Sequence, residues 1–217
     1  MTERQRICAC AEILETIYPE AECSLDWGGE PFRLMVLVRL SAQCTDARVN
    51  IVGRELFSVF PTAESLAEAP VEEIEKIVRP CGLHRTKARD IKDEMILLTG
   101  KYHGIMPSDM DELLSFPGVG RKIANLLRGD IFGLPAVVAD THCIRICGRI
   151  GLYPDSLSDP LLTEKKLSGL LPPEKTSDFC HRVVVLGREY CKARSPRCSD
   201  CPIASYCLHH TKAGELS

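Results

Sequence analysis

The stretch LLSFPGVGRKIANLL, Leu113 to Leu127, places two helical runs on either side of a turn with two glycines. Gly118 and Gly120 tolerate positive φ angles and leave their backbone N–H groups unobstructed. Together with the N-terminus of the second helix, they can form a small nest for an anion such as phosphate. A tight corner between two packed helices would use the same glycines for packing alone, so PGVG by itself leaves both interpretations open.

Two residues near this turn carry reactive groups. Lys122 follows the turn directly, and Asp140 stands in the segment VVADTH. The positive end of a helix and partial burial would lower the pKa of Lys122 and give a free amine able to attack a sugar carbon. As alternatives, Lys122 is a solvated residue or a plain phosphate contact, and Asp140 is an ordinary helix N-cap. The combination with the hairpin favours the catalytic interpretation.

The remaining sequence pattern predicts helices throughout. Apolar spacing, capping residues and prolines predict helices over residues 3–17, 32–43, 45–59, 62–68, 71–78, 86–101, 141–150, 159–170 and 174–190. Ser108 with Asp111 forms a capping-box variant that would start another helix before LLSF. No segment has the pattern of a convincing strand, so the fold class is all-α, with roughly ten or more short helices.

The charge is unevenly distributed along the chain. The net charge is -3, yet residues 1–30 carry two arginines against seven acidic residues, and residues 181–198 carry five basic residues against one glutamate. Such a polarised chain can bind an anion on one face. No apolar run approaches the ~20 residues that span a bilayer, and no secretory signal pattern is visible. We therefore expect an enzyme of the cytosol or an organelle matrix.

Cysteines are the third conspicuous feature of the sequence. Four of them lie near the C-terminus at the spacing C-x6-C-x2-C-x5-C: Cys191, Cys198, Cys201 and Cys207. In a reducing compartment these are metal or cluster ligands more often than disulfides. Four thiolates on one short loop suit a tetrahedral zinc ion or an iron–sulfur cluster, and spacing alone does not choose. Cys143 and Cys147, four residues apart, are interpreted as small buried hydrophobes.

Four ordered motifs together carry a family resemblance: SAQCTD (Ser41 to Asp46), PGVGRK, VVADTH and the cysteine spacing. Over nearly the whole chain they resemble the endonuclease III family, the helix-hairpin-helix DNA glycosylases and abasic-site lyases of base-excision repair. The resemblance implies a 4Fe-4S cluster in place of zinc, bound by the four cysteines. It also implies that Lys122 is the nucleophile and Asp140 the catalytic carboxylate.

The resemblance further implies a set of DNA contacts. Gln43 would fill the gap left by a flipped nucleotide, and Leu83 would be the wedge in the neighbouring loop. The alternatives are that Gln43 caps a helix and that Leu83 belongs to the core. The hairpin would hold the DNA backbone through Gly118, Val119, Gly120 and Arg121. The partner would be double-stranded DNA with damaged bases or abasic sites, bound by a monomer in a bacterial or archaeal cytoplasm, at the nucleoid.

The implied fold has two helical domains that flank a cleft. One would comprise residues 23–133 with the hairpin, and the other residues 1–22 plus 134–217 with the cluster. Lys122 and Asp140 would then meet at the domain boundary. The cluster would shape the basic surface beside it and need not perform redox chemistry.

The implied activity is removal of oxidised pyrimidines such as thymine glycol, followed by strand cleavage 3′ to the abasic site through a lysine Schiff base. One rival is a mismatch-specific adenine glycosylase, although such relatives lack the lysine and carry an extra C-terminal domain. The other rival is a non-catalytic DNA-binding module. Four residues depart from the family pattern, Ile123, Arg39, Arg128 and Asp130, and the first two bear on the lesion preference.

Overall fold

A computed structural model describes the backbone of residues 1–215 and the side chains of residues 1–211. The described chain contains α-helices and short 3-10 turns and has no strand, which confirms the all-α prediction. The helices are α1 (Glu3–Ile17), α2 (Pro31–Ser41), α3 (Asp46–Val59), α4 (Ala63–Glu68), α5 (Val71–Val78), α6 (His84–Gly100), α7 (Met110–Leu114), α8 (Arg121–Phe132), α9 (Thr141–Ile150), α10 (Pro160–Leu170), α11 (Thr176–Glu189) and α12 (Leu208–Glu215). None of the described helices is both long and apolar enough to cross a membrane.

The chain forms two compact units. One is Cys23–Phe132, and the other combines Met1–Glu22 with Gly133–Ser217. The division predicted from the sequence, with the hairpin in a domain 23–133 and the cluster in a domain formed by 1–22 and 134–217, stays a prediction.

Helix α2 is the centre of the unit Cys23–Phe132. Its residues from Leu34 to Val38 are buried, as is Leu40, and the helix packs against α3, α6 and α8. A helix that is apolar on all sides is stable only when neighbours surround it, so α2 fixes where those helices lie. Arg39 is the exception on this helix, and its burial matters for the hairpin.

The hairpin connects α7 to α8. The N-cap of α7 is Asp109, whose side-chain oxygen accepts hydrogen bonds from the N–H groups of Asp111 at 2.9 Å and Glu112 at 3.1 Å. The predicted capping box of Ser108 with Asp111 is therefore wrong. A neighbouring aspartate takes the role because one carboxylate oxygen reaches two free N–H groups of the first turn.

In the other unit, α9 and α11 pack together, and α1 contacts α10 and α11. Helix α1 begins with a reciprocal capping box between Thr2 and Gln5. Helix α9 begins at the N-cap Asp140 and ends at Gly151, whose φ of 101° gives a left-handed C-cap. The two caps fix α9, and with it the position of Asp140.

Candidate active site and four-cysteine loop

The hairpin turn is a type II turn. The N–H of Val119 donates to the carbonyl of Phe116 at 3.1 Å, Pro117 and Gly118 occupy the central positions, and Gly118 has a φ of 68°. Gly120 lies outside the left-handed region and has no atom within 4 Å of the place of a Cβ. Of the two glycines, only Gly118 uses its conformational freedom, while Gly120 leaves open space beside the backbone.

A buried guanidinium lies directly behind this turn. A Cβ on Gly118 would collide with the Arg39 guanidinium, so any other residue at this position must displace that side chain. Arg39 lies 3.4 Å from Glu94 and 3.5 Å from Asp90, and its Nη2 is buried without a hydrogen-bond partner among the described residues. Burial raises the pKa of Glu94 well above 4.5 even though the nearby Arg39 lowers it. Arg39, which departs from the family pattern, therefore supports the hairpin turn from behind.

Lys122 is the second residue of α8 and its side chain is exposed. The predicted partial burial of this lysine is therefore wrong. Its neighbours in the hairpin are divided between core and surface: Val119 is 6% exposed, whereas Gly118, Gly120 and Arg121 are exposed. Val119 therefore anchors the turn in the core, and the Lys122 amine is exposed to solvent.

Asp140 is a helix N-cap, which is the alternative to a catalytic carboxylate that the sequence left open. Its Oδ1 accepts a hydrogen bond of 2.7 Å from the N–H of Cys143. The cap therefore fixes the position of the carboxylate through one of its two oxygens. Asp140 lies in the unit that contains α9, and Lys122 lies in the unit Cys23–Phe132.

Gln43 and Leu83 share an unusual conformation. Both are exposed, Leu83 at 56%, and both have left-handed backbones with φ of 55° and 49°. The alternative of a core Leu83 is therefore wrong. The C-cap of α2 is Ala42 and the N-cap of α3 is Thr45, so Gln43 occupies neither capping position. Exposed apolar side chains and strained backbone are both features of binding sites.

The segment from Cys191 to Cys207, here called the four-cysteine loop, surrounds a cavity of about 360 Å³ that includes space open to solvent. All four half-buried thiols line it: Cys191, Cys198, Cys201 and Cys207. Burial and, to a smaller extent, repulsion from the other three thiols raise the pKa of Cys201 to about 11, although a hydrogen bond from the Ile203 backbone lowers it. Iron ions would remove that repulsion, so the donor set and the cavity fit an iron–sulfur cluster. In the described residues no three cysteine, histidine or acidic side chains are gathered around the position of one metal ion.

Two arginines of α9 hold the start of this loop, and the sequence analysis missed them. Arg145 donates to the carbonyl of Cys191 at 2.8 Å, and Arg149 donates to the Cys191 sulfur at 3.2 Å and to the Lys192 carbonyl at 2.8 Å. Their separation of four residues, which puts both on one helix face, was the available signal.

The same unit confirms one interpretation of the sequence and corrects another. Cys143 and Cys147 are fully buried, as predicted. Arg182 is 6% exposed and donates to the Tyr18 carbonyl and to Asp178, each at 3.3 Å. The basic segment 181–198 therefore supplies fewer cations to the surface than its sequence suggested.

Comparisons with known proteins agree with these features. Residues 36–173 match the family model of the HhH-GPD superfamily of base excision DNA repair proteins, and residues 191–207 match the iron-sulfur binding domain of endonuclease III. Endonuclease III of Bacillus subtilis strain 168 is 41% identical over 98% of this chain and 96% of its own length. Endonuclease III of Escherichia coli K12 is 36% identical over 84% of this chain and 85% of its own length.

Solved structures extend the similarity to the fold. A non-covalent endonuclease III–DNA complex and a trapped endonuclease III–DNA covalent intermediate each match with a TM-score of 0.90 and 40% identity, covering 99% of this chain and 100% of theirs. A thermostable thymine-DNA glycosylase shares the fold at a TM-score of 0.84 with 22% identity.

Proposed function

This chain belongs to the endonuclease III family, and we propose that it removes oxidised pyrimidines such as thymine glycol from double-stranded DNA and cleaves the strand 3′ to the resulting abasic site. It is a DNA N-glycosylase and abasic-site lyase of base-excision repair that binds DNA. The observation that carries the proposal is the exposed amine of Lys122, one helical position beyond the hairpin turn.

Lys122 and Asp140 divide the chemistry in this proposal. The damaged nucleotide leaves the base stack, and the Lys122 nitrogen attacks C1′ of its sugar. The bond from C1′ to the base breaks, and the base leaves with that electron pair. Asp140 stabilises the positive charge that develops on the sugar and accepts a proton from the attached nitrogen. The sugar ring then opens to a Schiff base, and loss of a 2′ proton and of the 3′ phosphate completes β-elimination.

The hairpin would hold the DNA backbone near this amine. Its N–H groups face an anion without reading bases, which suits a protein that searches along duplex DNA. The open space beside Gly120 allows a phosphate to approach the backbone closely. Gln43 and Leu83 would enter the duplex at the flipped nucleotide, and their exposure supports that role. We expect the enzyme to act as a monomer on DNA in the cytoplasm.

The cofactor of the chain is a 4Fe-4S cluster, in keeping with its iron-sulfur binding domain. We propose the four cysteines of the loop as its ligands: Cys191, Cys198, Cys201 and Cys207. When bound, the cluster supplies four iron–sulfur bonds that close the loop, and the energy of ligation is then also energy of folding. Arg149 donates to the Cys191 sulfur and so supports a thiolate at that position.

Borohydride trapping tests the assigned nucleophile. Wild-type protein incubated with duplex DNA that contains thymine glycol or an abasic site should form a covalent adduct when the Schiff base is reduced. Lys122→Gln should form none. Lys101→Gln is the matched control, because Lys101 is an exposed lysine of the same unit whose ammonium donates to the Tyr102 hydroxyl at 2.9 Å. An adduct that survives Lys122→Gln would reject Lys122 as the nucleophile, and no adduct with the wild type would reject the lyase mechanism.

A further inference from the structure

Two turns of the unit Cys23–Phe132 expose the side chains that the proposed function places in the duplex. Gln43 lies between α2 and α3, and Leu83 lies directly before α6. Non-glycine residues adopt a left-handed backbone only where the surroundings impose it, and both residues do so. Some interaction must therefore hold the two turns in this conformation.

A single buried lysine contacts both turns. Lys87 in the first turn of α6 is 2% exposed, and its ammonium donates to three backbone carbonyls. Two of them, Leu40 at 2.8 Å and Ala42 at 2.7 Å, belong to the end of α2 before Gln43. The third, Cys81 at 2.8 Å, lies two residues before Leu83. Each of the three N–H bonds of the ammonium thus has one acceptor.

The chemistry of these acceptors explains why a lysine suits the position. The carbonyls at the end of α2 and at the end of the 3-10 turn Arg79–Cys81 have no partner within their own helices and carry partial negative charge. The Lys87 ammonium is a compact cation, and by binding both sets of carbonyls it holds the end of α2 next to the end of the 3-10 turn. Charged hydrogen bonds are about twice as strong as neutral ones, so this arrangement resists displacement.

A second contact joins the same two turns. The thiols of Cys44 and Cys81 lie within hydrogen-bonding reach of each other. Burial, reinforced by Cys44, raises the pKa of Cys81 to about 11, so Cys81 remains a neutral thiol near pH 7 and does not compete for the Lys87 ammonium. The residue after Gln43 therefore touches the residue two positions before Leu83.

We propose that Lys87 is a positioning residue for DNA recognition: it fixes the spacing between the two turns so that Gln43 and Leu83 enter the duplex together. This inference rests on the proposed function. The enclosed ammonium reaches no DNA, so its influence passes through the turns. Gap filling and wedging are needed only where a nucleotide leaves a double helix, which makes duplex and single-stranded substrates a discriminating pair.

The test compares lyase rates on an abasic site in duplex and in single-stranded DNA. Lys87→Met removes all three hydrogen bonds at similar volume, and the ratio of duplex to single-strand kcat/KM should fall about tenfold, the equivalent of one charged hydrogen bond. Lys92→Met is the matched control, because Lys92 on the same helix donates to a carbonyl remote from both turns, that of Ala69 at 2.5 Å. Its ratio should remain that of the wild type.

Four outcomes decide the matter. An unchanged ratio for Lys87→Met, with only a lower melting temperature, would overturn the inference and leave Lys87 as a support of the fold. If that variant does not fold, Lys87→Gln keeps two N–H donors and should show an intermediate fall. In a Gln43→Ala background the effect of Lys87→Met should shrink to the part that acts through Leu83, and full additivity would contradict action through the Gln43 turn. A wild type inactive on both substrates would instead reject the proposed function.

Discussion

The two hairpin glycines have opposite surroundings, so replacement of each by alanine should have opposite consequences. Gly118 is left-handed, with a φ of 68°, and its Cβ would collide with the Arg39 guanidinium. Gly120 is outside the left-handed region and has open space at the Cβ position. The same methyl group is therefore added once into a filled site and once into an empty one.

The size of the first effect follows from two contributions. An alanine in a left-handed backbone costs about 1–2 kcal/mol. Displacement of Arg39 also removes the partner of the fully buried Glu94, and loss of a hydrogen bond to a charged group costs about 1.5–3 kcal/mol. Because Arg39 keeps 13% exposure and its contact with Glu94 is long at 3.4 Å, the lower end applies. Gly118→Ala should lower the free energy of unfolding by about 3 kcal/mol, and Gly120→Ala by about 1 kcal/mol or less, since glycine is the better N-cap.

Urea unfolding followed by tryptophan fluorescence measures the difference in unfolding free energy between the two variants, and it reports on the unit that contains the hairpin. Trp27 is the single tryptophan of the chain and packs against the core of Cys23–Phe132. Fluorescence anisotropy with labelled duplex DNA gives the second readout. Gly120→Ala should bind more weakly while it remains folded, because its methyl group occupies the space through which a phosphate would approach.

Arg39→Ala separates the two contributions. Without the guanidinium, Gly118→Ala should cost only the backbone term of about 1–2 kcal/mol, so the double-mutant cycle should show strong coupling. Equal losses of stability for the two glycine variants would refute the assignment of the left-handed turn to Gly118. A cycle without coupling would refute the role of Arg39 behind the hairpin.

Three further predictions concern charge, cluster and catalysis. Burial raises the pKa of Glu94, so its contribution to stability is fully present below about pH 4.5. As the pH rises from there to the folded pKa, this contribution is lost at about 1.4 kcal/mol per pH unit. Glu94→Gln should abolish that loss in urea titrations between pH 4 and 8. Cys198→Ser should lose iron and visible absorbance and become protease-sensitive in the loop, whereas Cys8→Ser, outside the loop, should keep the wild-type iron content. Asp140→Asn keeps a capping side chain, so its unfolding free energy should change by less than about 1 kcal/mol while the single-turnover rate falls about 10²–10⁴-fold.

The sequence was sufficient for most of the helices, because apolar spacing acts over a few residues, but it did not indicate α12 and it placed the cap of α7 on the wrong residue. The PGVG segment predicted the turn, and the apolar run of α2 predicted a buried helix. It was insufficient where partners lie far apart in the chain. Arg39 and Glu94 are separated by 55 positions and Lys87 and Leu40 by 47, so no local pattern reveals either contact. A buried charge in an apolar helix was a visible anomaly, but only the fold supplies its partners.

The four-cysteine loop and the carboxylate Asp140 are connected through one helix. Asp140 caps the N-terminus of α9, and two arginines on the same helix bind the first residues of the loop. Arg149 is 8% exposed, so its charge is stabilised mainly by the Cys191 sulfur and by backbone carbonyls that the loop presents. Loss of loop structure would break these charged hydrogen bonds, each worth about 1.5–3 kcal/mol. Closure of the loop therefore stabilises α9 in the position that its N-cap needs, and a cluster can support catalysis here through structure alone, without electron transfer.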